Sequence, residues 1–142
     1  MTGPTRLFAY GTLQVPELFA ALCGQPDRTA QPAVLRGFER RRVIRAVYPA
    51  VVEAPGRHTP GCVWEGIDAR ALARLDAFEG ELYVRRTAAI ELDSGGRVEA
   101  WVYVLGDHAR ARLSDEPWDL REFRQAHAAA YIARCRGVGG GA

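Results

Sequence analysis

Apolar residues recur along the chain at two spacings, which together predict a mixture of strands and helices. Short apolar runs and alternating segments bounded by glycine or proline are typical of strands, and they occupy residues 7–10, 33–38, 48–52, 60–67, 83–92 and 97–105. The last two segments flank Ser94, Gly95 and Gly96, which favour a tight hairpin turn. Apolar residues at helical spacing predict three helices, over residues 16–22, 69–78 and 118–136.

The order of these elements favours an α+β fold. The strands follow one another through short connections, so we expect a largely antiparallel sheet, either open or closed into a barrel. Residues 1–137 contain no internal repeat and no linker-like segment, which predicts one domain. Residues 138–142 are rich in glycine and are expected to form a disordered tail.

Composition excludes several classes of chemistry. The net charge of +2 is too small to imply nucleic acid by itself. The chain contains no lysine, which excludes both Schiff-base catalysis and a P-loop. The only serines, Ser94 and Ser114, do not lie in the context of a nucleophile elbow. No apolar run approaches the roughly 20 residues of a membrane span, so no membrane association is expected.

The metal-ligating residue types are scattered. Cys23, Cys62 and Cys135 are odd in number and widely spaced, which argues against a disulfide framework and against a paired-cysteine zinc site. The three histidines are equally dispersed, so no metal site is predicted. Free cysteines are typical of a reducing compartment, and we expect the protein in the cytoplasm.

Glu79 is the acidic residue whose position suggests chemistry. It lies at the end of the predicted helix 69–78, just before Gly80. The helix dipole at that end disfavours a carboxylate, and Asp76 and Glu81 add like charge. The pKa of Glu79 is therefore expected to be raised, towards the range that suits proton transfer. A solvated glutamate at a helix end is the alternative interpretation.

The first strand leads directly into a candidate anion site. It stops at Gly11, and Thr12 and Leu13 connect it to a helix that begins at Pro16. Backbone N–H groups in such a turn can bind an anion or a developing oxyanion. A plain connection between two elements is the alternative.

Arginines cluster at positions 40, 41, 42 and 45, interleaved with Val43 and Ile44. This pattern fits a solvated strand face, and a basic patch for nucleic acid is the weaker alternative. We expect no nucleic-acid partner.

Two motifs, taken together, resemble a known family. Residues 8–13 read FAYGTL, and residues 75–80 read LDAFEG, followed by YVRR at 83–86. Between them, LRGF at 35–38, YPAVV at 48–52 and PGCVW at 60–64 occur in the expected order. Over about residues 7–105 the chain resembles the γ-glutamylcyclotransferase-like family, which includes the γ-glutamylamine cyclotransferases and the plant avirulence-induced-gene-like proteins.

The resemblance implies a fold and a reaction. The fold is a small mixed, largely antiparallel β-barrel flanked by helices, with a cavity at one end. In the reaction, which is acyl-transfer or lyase chemistry, the α-amine of a γ-glutamyl group attacks its own γ-carbonyl. This releases 5-oxoproline and an amine or amino acid, without a metal, a cofactor or a covalent intermediate.

The resemblance also implies roles for particular residues. Glu79 matches the family's catalytic glutamate and would act as general acid and base. The backbone N–H groups of the 10–13 turn would bind the oxyanion, and Gly11 would let the substrate approach the backbone closely. The residues of this turn are Tyr10, Gly11, Thr12 and Leu13.

Four further side chains are candidate substrate contacts, each with a structural alternative. Tyr83, Tyr103 and Tyr48 either reach the substrate or pack in the core. Arg85 either binds the substrate's α-carboxylate or forms an ion pair with one of the carboxylates near Glu79.

The fold admits a second function. A domain of the same fold that binds a small γ-glutamyl-like ligand without catalysis is the alternative to an enzyme. The sequence does not identify the leaving amine or amino acid. A monomer is expected, since no apolar stripe is left over.

Overall fold

The computed structural model describes residues 3–24 and 29–137. The strands are β1 (Leu7–Ala9), β2 (Ala30–Arg42), β3 (Pro49–Trp64), β4 (Tyr83–Leu92) and β5 (Arg97–Leu105). The helices are α1 (Pro16–Cys23), α2 (Ala69–Glu79), α3 (Leu120–Ala126) and α4 (Ala128–Gly137). Short 3-10 turns cover Thr12–Gln14, Gly80–Leu82 and Asp107–Arg112. The expected disordered tail lies outside the described residues.

The five strands form a closed barrel in the order β1-β3-β2-β4-β5. Neighbouring strands are antiparallel except at the closing seam, where β1 runs parallel to β5 and Leu7 lies beside Trp101. The predicted α+β class and the mixed, largely antiparallel barrel flanked by helices are therefore confirmed.

Strands β2 and β3 are longer than the sequence pattern predicts. Ala30 and Gln31, which precede the strand predicted over 33–38, pair with Trp64 and Val63, and β3 continues across residues 53–59, between two predicted strands. The strand pair bends instead of ending, with a register shift between Arg36 and Phe38. The glycines at 37 and 56 both have positive φ, +85° and +86°, which lets the two strands curve there without a break.

The third predicted helix is divided into α3 and α4. At His127 the backbone leaves the helical conformation, with φ −131° and ψ −21°. Phe123 of α3 and Ala128 and Cys135 of α4 are all buried in one apolar cluster. A straight helix over 118–136 was therefore wrong, because periodicity alone does not reveal a single non-helical residue.

Helix α2 begins and ends close to where the sequence predicts. The Asp68 side chain caps its first turn by accepting a hydrogen bond from Ala71 N at 2.8 Å. Gly80 ends it with a positive φ of +74°, which favours glycine. Leu75 is fully buried against the rest of the core, which fixes the face that α2 turns inward.

Apolar side chains cover both faces of the barrel wall. One buried cluster is formed by strand residues, among them Phe8, Leu35, Val63 and Val102. Another joins the opposite face of the strands to the helices, where the Phe19 ring stacks on Trp64 with centroids 4.3 Å apart. No helix in the described ranges is long and apolar enough to cross a membrane.

Candidate active site

A cavity of about 250 Å³ opens where the end of β1, the end of α2 and helix α4 meet. All of the site residues predicted from the sequence line it, except Arg85. These are Tyr10, Gly11, Thr12, Leu13, Tyr48, Glu79, Tyr83 and Tyr103. The cavity also takes in residues of α4 that the sequence did not indicate, Tyr131, Arg134 and Cys135.

Glu79 is the last residue of α2 and contributes the only acidic side chain among the described cavity residues. It is partly accessible, because it faces the cavity, but protein surrounds it otherwise. Within the described ranges, no residue gives its carboxyl group a hydrogen bond or an ion pair. Burial raises the pKa of Glu79 from its ordinary 4.5 to about 8.

The raised pKa of Glu79 has a different cause from the one expected. Loss of solvent, rather than the helix end or neighbouring carboxylates, raises it. The charge of Asp76 is balanced by Arg85, whose Nε and Nη2 lie 2.8 and 3.2 Å from the two carboxylate oxygens. The position of Glu79 at the helix end therefore predicted correctly that its pKa is raised, but it did not predict that burial is the cause.

Arg85 lies outside the cavity and ties two elements together. Besides the ion pair with Asp76 on α2, its guanidinium lies 4.2 Å from the centre of the Trp101 ring on β5. Of the two interpretations open for Arg85, the structure shows the ion pair. The arginine holds the last turn of α2 against the strands.

The turn at residues 10–13 presents unpaired backbone donors. Thr12 and Leu13 begin a 3-10 turn, so their N–H groups have no acceptor within it. No other part of the chain that the structure describes accepts a hydrogen bond from them. Both residues are buried and line the cavity. The arrangement can bind an anionic oxygen.

Tyr10 anchors this turn from two directions. Its hydroxyl donates to the Tyr103 carbonyl at 2.5 Å. Its own carbonyl accepts from Arg40 Nη1 at 2.7 Å. Arg40 lies 5.4 Å from the centre of the Trp118 ring, and burial lowers its pKa. Arg40 is thus a positioning residue, a role that the pattern of the arginine cluster did not indicate.

Gly11 is required by the packing of its neighbour. A Cβ at this position would lie 2.9 Å from Pro49 Cγ, closer than real contacts allow. The expected close approach of a substrate to Gly11 stays a prediction. The absence of a side chain here already has a structural reason.

The cavity tyrosines differ in how their hydroxyls are used. Tyr83 donates to the Pro49 carbonyl at 2.7 Å, whereas the Tyr48 hydroxyl has no hydrogen bond within residues 3–24 and 29–137. Burial raises the pKa of Tyr10 and Tyr83 well above its ordinary value, and the charge of Glu79 adds to both shifts. These two phenols therefore stay neutral.

The arginine run at 40–42 is engaged within the chain. Arg41 Nη2 lies 3.2 Å from Glu39, and Arg42 Nη2 lies 3.4 Å from Glu122. With Arg40 turned toward Tyr10, these three guanidinium groups contact the protein's own residues. These arginines were predicted to form a solvated strand face, but each of them makes an ion pair or a hydrogen bond within the protein.

Across the described ranges, no three His, Cys, Asp or Glu side chains are grouped so that they could hold a metal ion. The cavity itself is lined by Glu79, Arg134, several tyrosines and the 10–13 turn.

Comparisons with known proteins agree with the motifs. Residues 7–120 match the family model described as gamma-glutamyl cyclotransferase, AIG2-like. Protein AIG2 C of Arabidopsis thaliana is 31% identical over 133 residues, which cover 92% of this chain and 78% of that protein.

Solved structures show the same fold. The solution structure of an Arabidopsis thaliana protein superposes with a TM-score of 0.71 at 27% identity, covering 97% of this chain and 83% of the other. A structure titled gamma-glutamyl cyclotransferase gives a TM-score of 0.62 at 19% identity, covering 73% and 68%. By its sequence, this chain belongs to the AIG2-like gamma-glutamyl cyclotransferase family.

Proposed function

We propose that the protein is a γ-glutamylcyclotransferase that converts a γ-glutamyl amine or amino acid into 5-oxoproline and the free amine. One observation carries the proposal. The unpaired carboxyl of Glu79, with its pKa raised to about 8, shares a cavity with the unpaired N–H groups of Thr12 and Leu13.

The first step frees the nucleophile. The ionised Glu79 takes a proton from the substrate's α-ammonium group, which leaves a neutral amine. The nitrogen lone pair then attacks the γ-carbonyl carbon, a C–N bond forms, and the carbonyl electron pair moves onto oxygen. A five-membered ring with a tetrahedral carbon results. Because both reacting groups belong to one molecule, the cavity needs only to hold the substrate folded.

The second step expels the leaving group. The oxyanion re-forms the carbonyl while the bond to the departing nitrogen breaks, and Glu79 gives that nitrogen its proton. Glu79 then takes the remaining extra proton from the ring nitrogen and passes it to the released amine. The attacking nitrogen loses two protons and the leaving nitrogen gains two, so the reaction needs no co-reactant.

A carboxyl with a pKa near 8 suits both transfers. It ionises often enough near neutrality to accept a proton and holds that proton weakly enough to return it. The unpaired N–H groups of the 10–13 turn suit the oxyanion, and losing one such donor typically costs about 3 kcal/mol of barrier stabilisation. The apolar walls around them strengthen both interactions.

The test is the release of 5-oxoproline from γ-glutamyl-alanine, γ-glutamyl-ethylamide, glutathione and γ-glutamyl-ε-lysine. Wild type is compared with Glu79→Gln, which keeps the shape and removes the proton-transfer group. Glu81→Gln is the matched control, because Glu81 is exposed and lies outside the cavity. We expect release by the wild type and by Glu81→Gln, and a loss of at least about a hundredfold in Glu79→Gln.

Two other results would contradict the proposal at different points. If Glu79→Gln still releases 5-oxoproline, the protein catalyses the reaction but Glu79 is not its proton-transfer group. No release by the folded wild type, combined with a thermal shift on adding the compounds, would favour the non-catalytic binding domain.

A further inference from the structure

We infer that Arg134 selects substrates whose leaving amine carries a carboxylate, that is, γ-glutamyl amino acids or peptides rather than simple γ-glutamyl amines. The inference rests on the proposed cyclotransferase function and names its substrate class. It comes from helix α4, which none of the sequence motifs includes.

Arg134 is the only basic side chain among the described residues that line the cavity. Within residues 3–24 and 29–137 it has neither an ion pair nor a hydrogen bond. Its guanidinium contacts the Tyr131 ring, whose centre lies 4.8 Å from the guanidinium carbon. A guanidinium that stacks by its face keeps its edge N–H groups available, and these match the two oxygens of a carboxylate.

The platform under Arg134 is rigid. The Tyr131 ring packs edge-on against Phe123 with centroids 5.2 Å apart. Phe123 is fully buried, and Ala128 and Cys135, which share the Tyr131 face of α4, are buried in the same cluster. Little side-chain freedom is lost when such an arginine binds an anion, since the stack already restrains it.

The position of Arg134 indicates which part of the substrate it meets. Thr12 and Leu13 are buried, Glu79 is partly buried, and Arg134 is exposed at the mouth of the cavity. The reacting carbonyl and amine must lie at the buried end, so the leaving group points outward. A carboxylate on the carbon next to the departing nitrogen then faces Arg134.

The other arginines near the site are occupied. Arg40 donates to the Tyr10 carbonyl, and Arg85 forms the ion pair with Asp76. Arg134 and Glu79 do not form an ion pair with each other, so both remain available to a substrate that carries charges of both signs. At about 250 Å³ the cavity is smaller than a typical drug-sized pocket, which suits a dipeptide.

The experiment compares two substrates that differ in one group. γ-Glutamyl-ethylamide is γ-glutamyl-alanine without the carboxylate of the leaving group. We expect wild type to prefer γ-glutamyl-alanine, and Arg134→Gln to lose about ten- to a hundredfold in kcat/KM for it. The same substitution should leave kcat/KM for γ-glutamyl-ethylamide within about twofold. Arg134→Lys should restore part of the loss.

Arg136→Gln is the matched control, because it removes the same charge from the same helix without touching the cavity. It should behave as wild type with both substrates. An equal loss for both substrates in Arg134→Gln would overturn the inference and assign Arg134 to the α-carboxylate that all γ-glutamyl compounds share. No loss for either substrate, or no preference in wild type, would also overturn it.

A binding measurement separates this inference from the proposed reaction. The Kd of γ-glutamyl-alanine is measured by calorimetry with Glu79→Gln and with the Glu79→Gln/Arg134→Gln double variant. Weaker binding by about tenfold or more in the double variant, with ethylamide binding unchanged, supports carboxylate recognition even if wild type releases no 5-oxoproline. Equal binding by the two variants overturns it.

Discussion

The Tyr103 hydroxyl donates a hydrogen bond to Asp76 Oδ1 at 2.7 Å, one helical turn before Glu79. The same carboxylate accepts a hydrogen bond from Arg85 of β4. The end of α2 is therefore held to both β4 and β5. The backbone carbonyl of Tyr103 accepts a hydrogen bond from the Tyr10 hydroxyl. One residue of β5 thus links the helix that carries Glu79 to the turn that carries the unpaired N–H groups.

Asp76 is therefore expected to act on catalysis by positioning Glu79. We predict that Asp76→Ala lowers kcat by about ten- to a hundredfold, because small displacements of a proton-transfer group are costly. The loss in free energy of unfolding should be only about 1 kcal/mol, since the Asp76 side chain is 43% exposed. Steady-state kinetics and urea unfolding measure the two effects.

A second exposed ion pair provides the control for Asp76. Arg36 Nε lies 2.6 Å from Glu91 and neither residue lines the cavity. Glu91→Ala should leave kcat unchanged. If Asp76→Ala also keeps wild-type kcat while unfolding more easily, Asp76 is a structural residue alone.

Gly11→Ala should displace the 10–13 turn. The new Cβ would meet the Pro49 ring at 2.9 Å, so either the turn or Pro49 must shift. We expect a loss of about 1–3 kcal/mol of stability, as for other overpacked sites, together with a fall in kcat. Adding Pro49→Ala removes the obstructing ring atoms and should recover much of both. A double variant no better than Gly11→Ala would show that the clash is not the reason for glycine.

Tyr48→Phe and Tyr83→Phe form a matched pair. Tyr83 donates to the Pro49 carbonyl, so its substitution should cost about 1 kcal/mol of stability. Tyr48 has no such partner within the described ranges, so its substitution should leave the unfolding free energy unchanged and raise KM instead. Thermal unfolding and KM for γ-glutamyl-alanine distinguish the two. A loss of stability in Tyr48→Phe, with a raised KM in Tyr83→Phe, would contradict these roles of the two hydroxyls.

The pKa of Glu79 predicts how stability depends on pH. Because the folded-state pKa is raised from 4.5 to about 8, the folded protein holds a proton that the unfolded chain has released. This stabilisation is complete below about pH 4.5 and is lost as the pH rises to about 8. Relative to Glu79→Gln, wild type should lose up to about 1.4 kcal/mol for each pH unit in that window.

Urea unfolding without substrate, at several pH values, measures this difference. Glu81→Gln should follow the wild type, because Glu81 is exposed. A constant difference between wild type and Glu79→Gln across the window would mean that Glu79 ionises normally in the folded protein.

Local patterns in the sequence were enough to predict the barrel strands and helix α2. The helix has a clear N-cap at Asp68 and a glycine stop at Gly80, and both signals are local. The continuity of β3 through Gly56 was missed, because a glycine with positive φ inside a long strand looks like a turn in the sequence.

The site was harder to predict than the fold, for a physical reason. Burial of Glu79 depends on several elements that are distant in sequence, so helix position alone suggested the wrong cause for its raised pKa. Arg134 lines the cavity from α4, a helix that the sequence pattern did not separate from α3 and that none of the family motifs includes. The partner of Arg85 was one of two open alternatives, since spacing does not say which carboxylate a side chain meets.

The pH dependence of kcat/KM for γ-glutamyl-alanine, measured between about pH 4 and pH 10, tests the central claim most directly. It reports the ionisation of the free protein and of the free substrate. The account predicts that kcat/KM rises tenfold per pH unit up to about pH 8, as the buried Glu79 becomes able to accept a proton, and falls again at higher pH, as the substrate's α-ammonium group loses the proton that Glu79 must take. A rising limb near pH 4.5, where an ordinary glutamate ionises, or the same limb in Glu79→Gln, would contradict it.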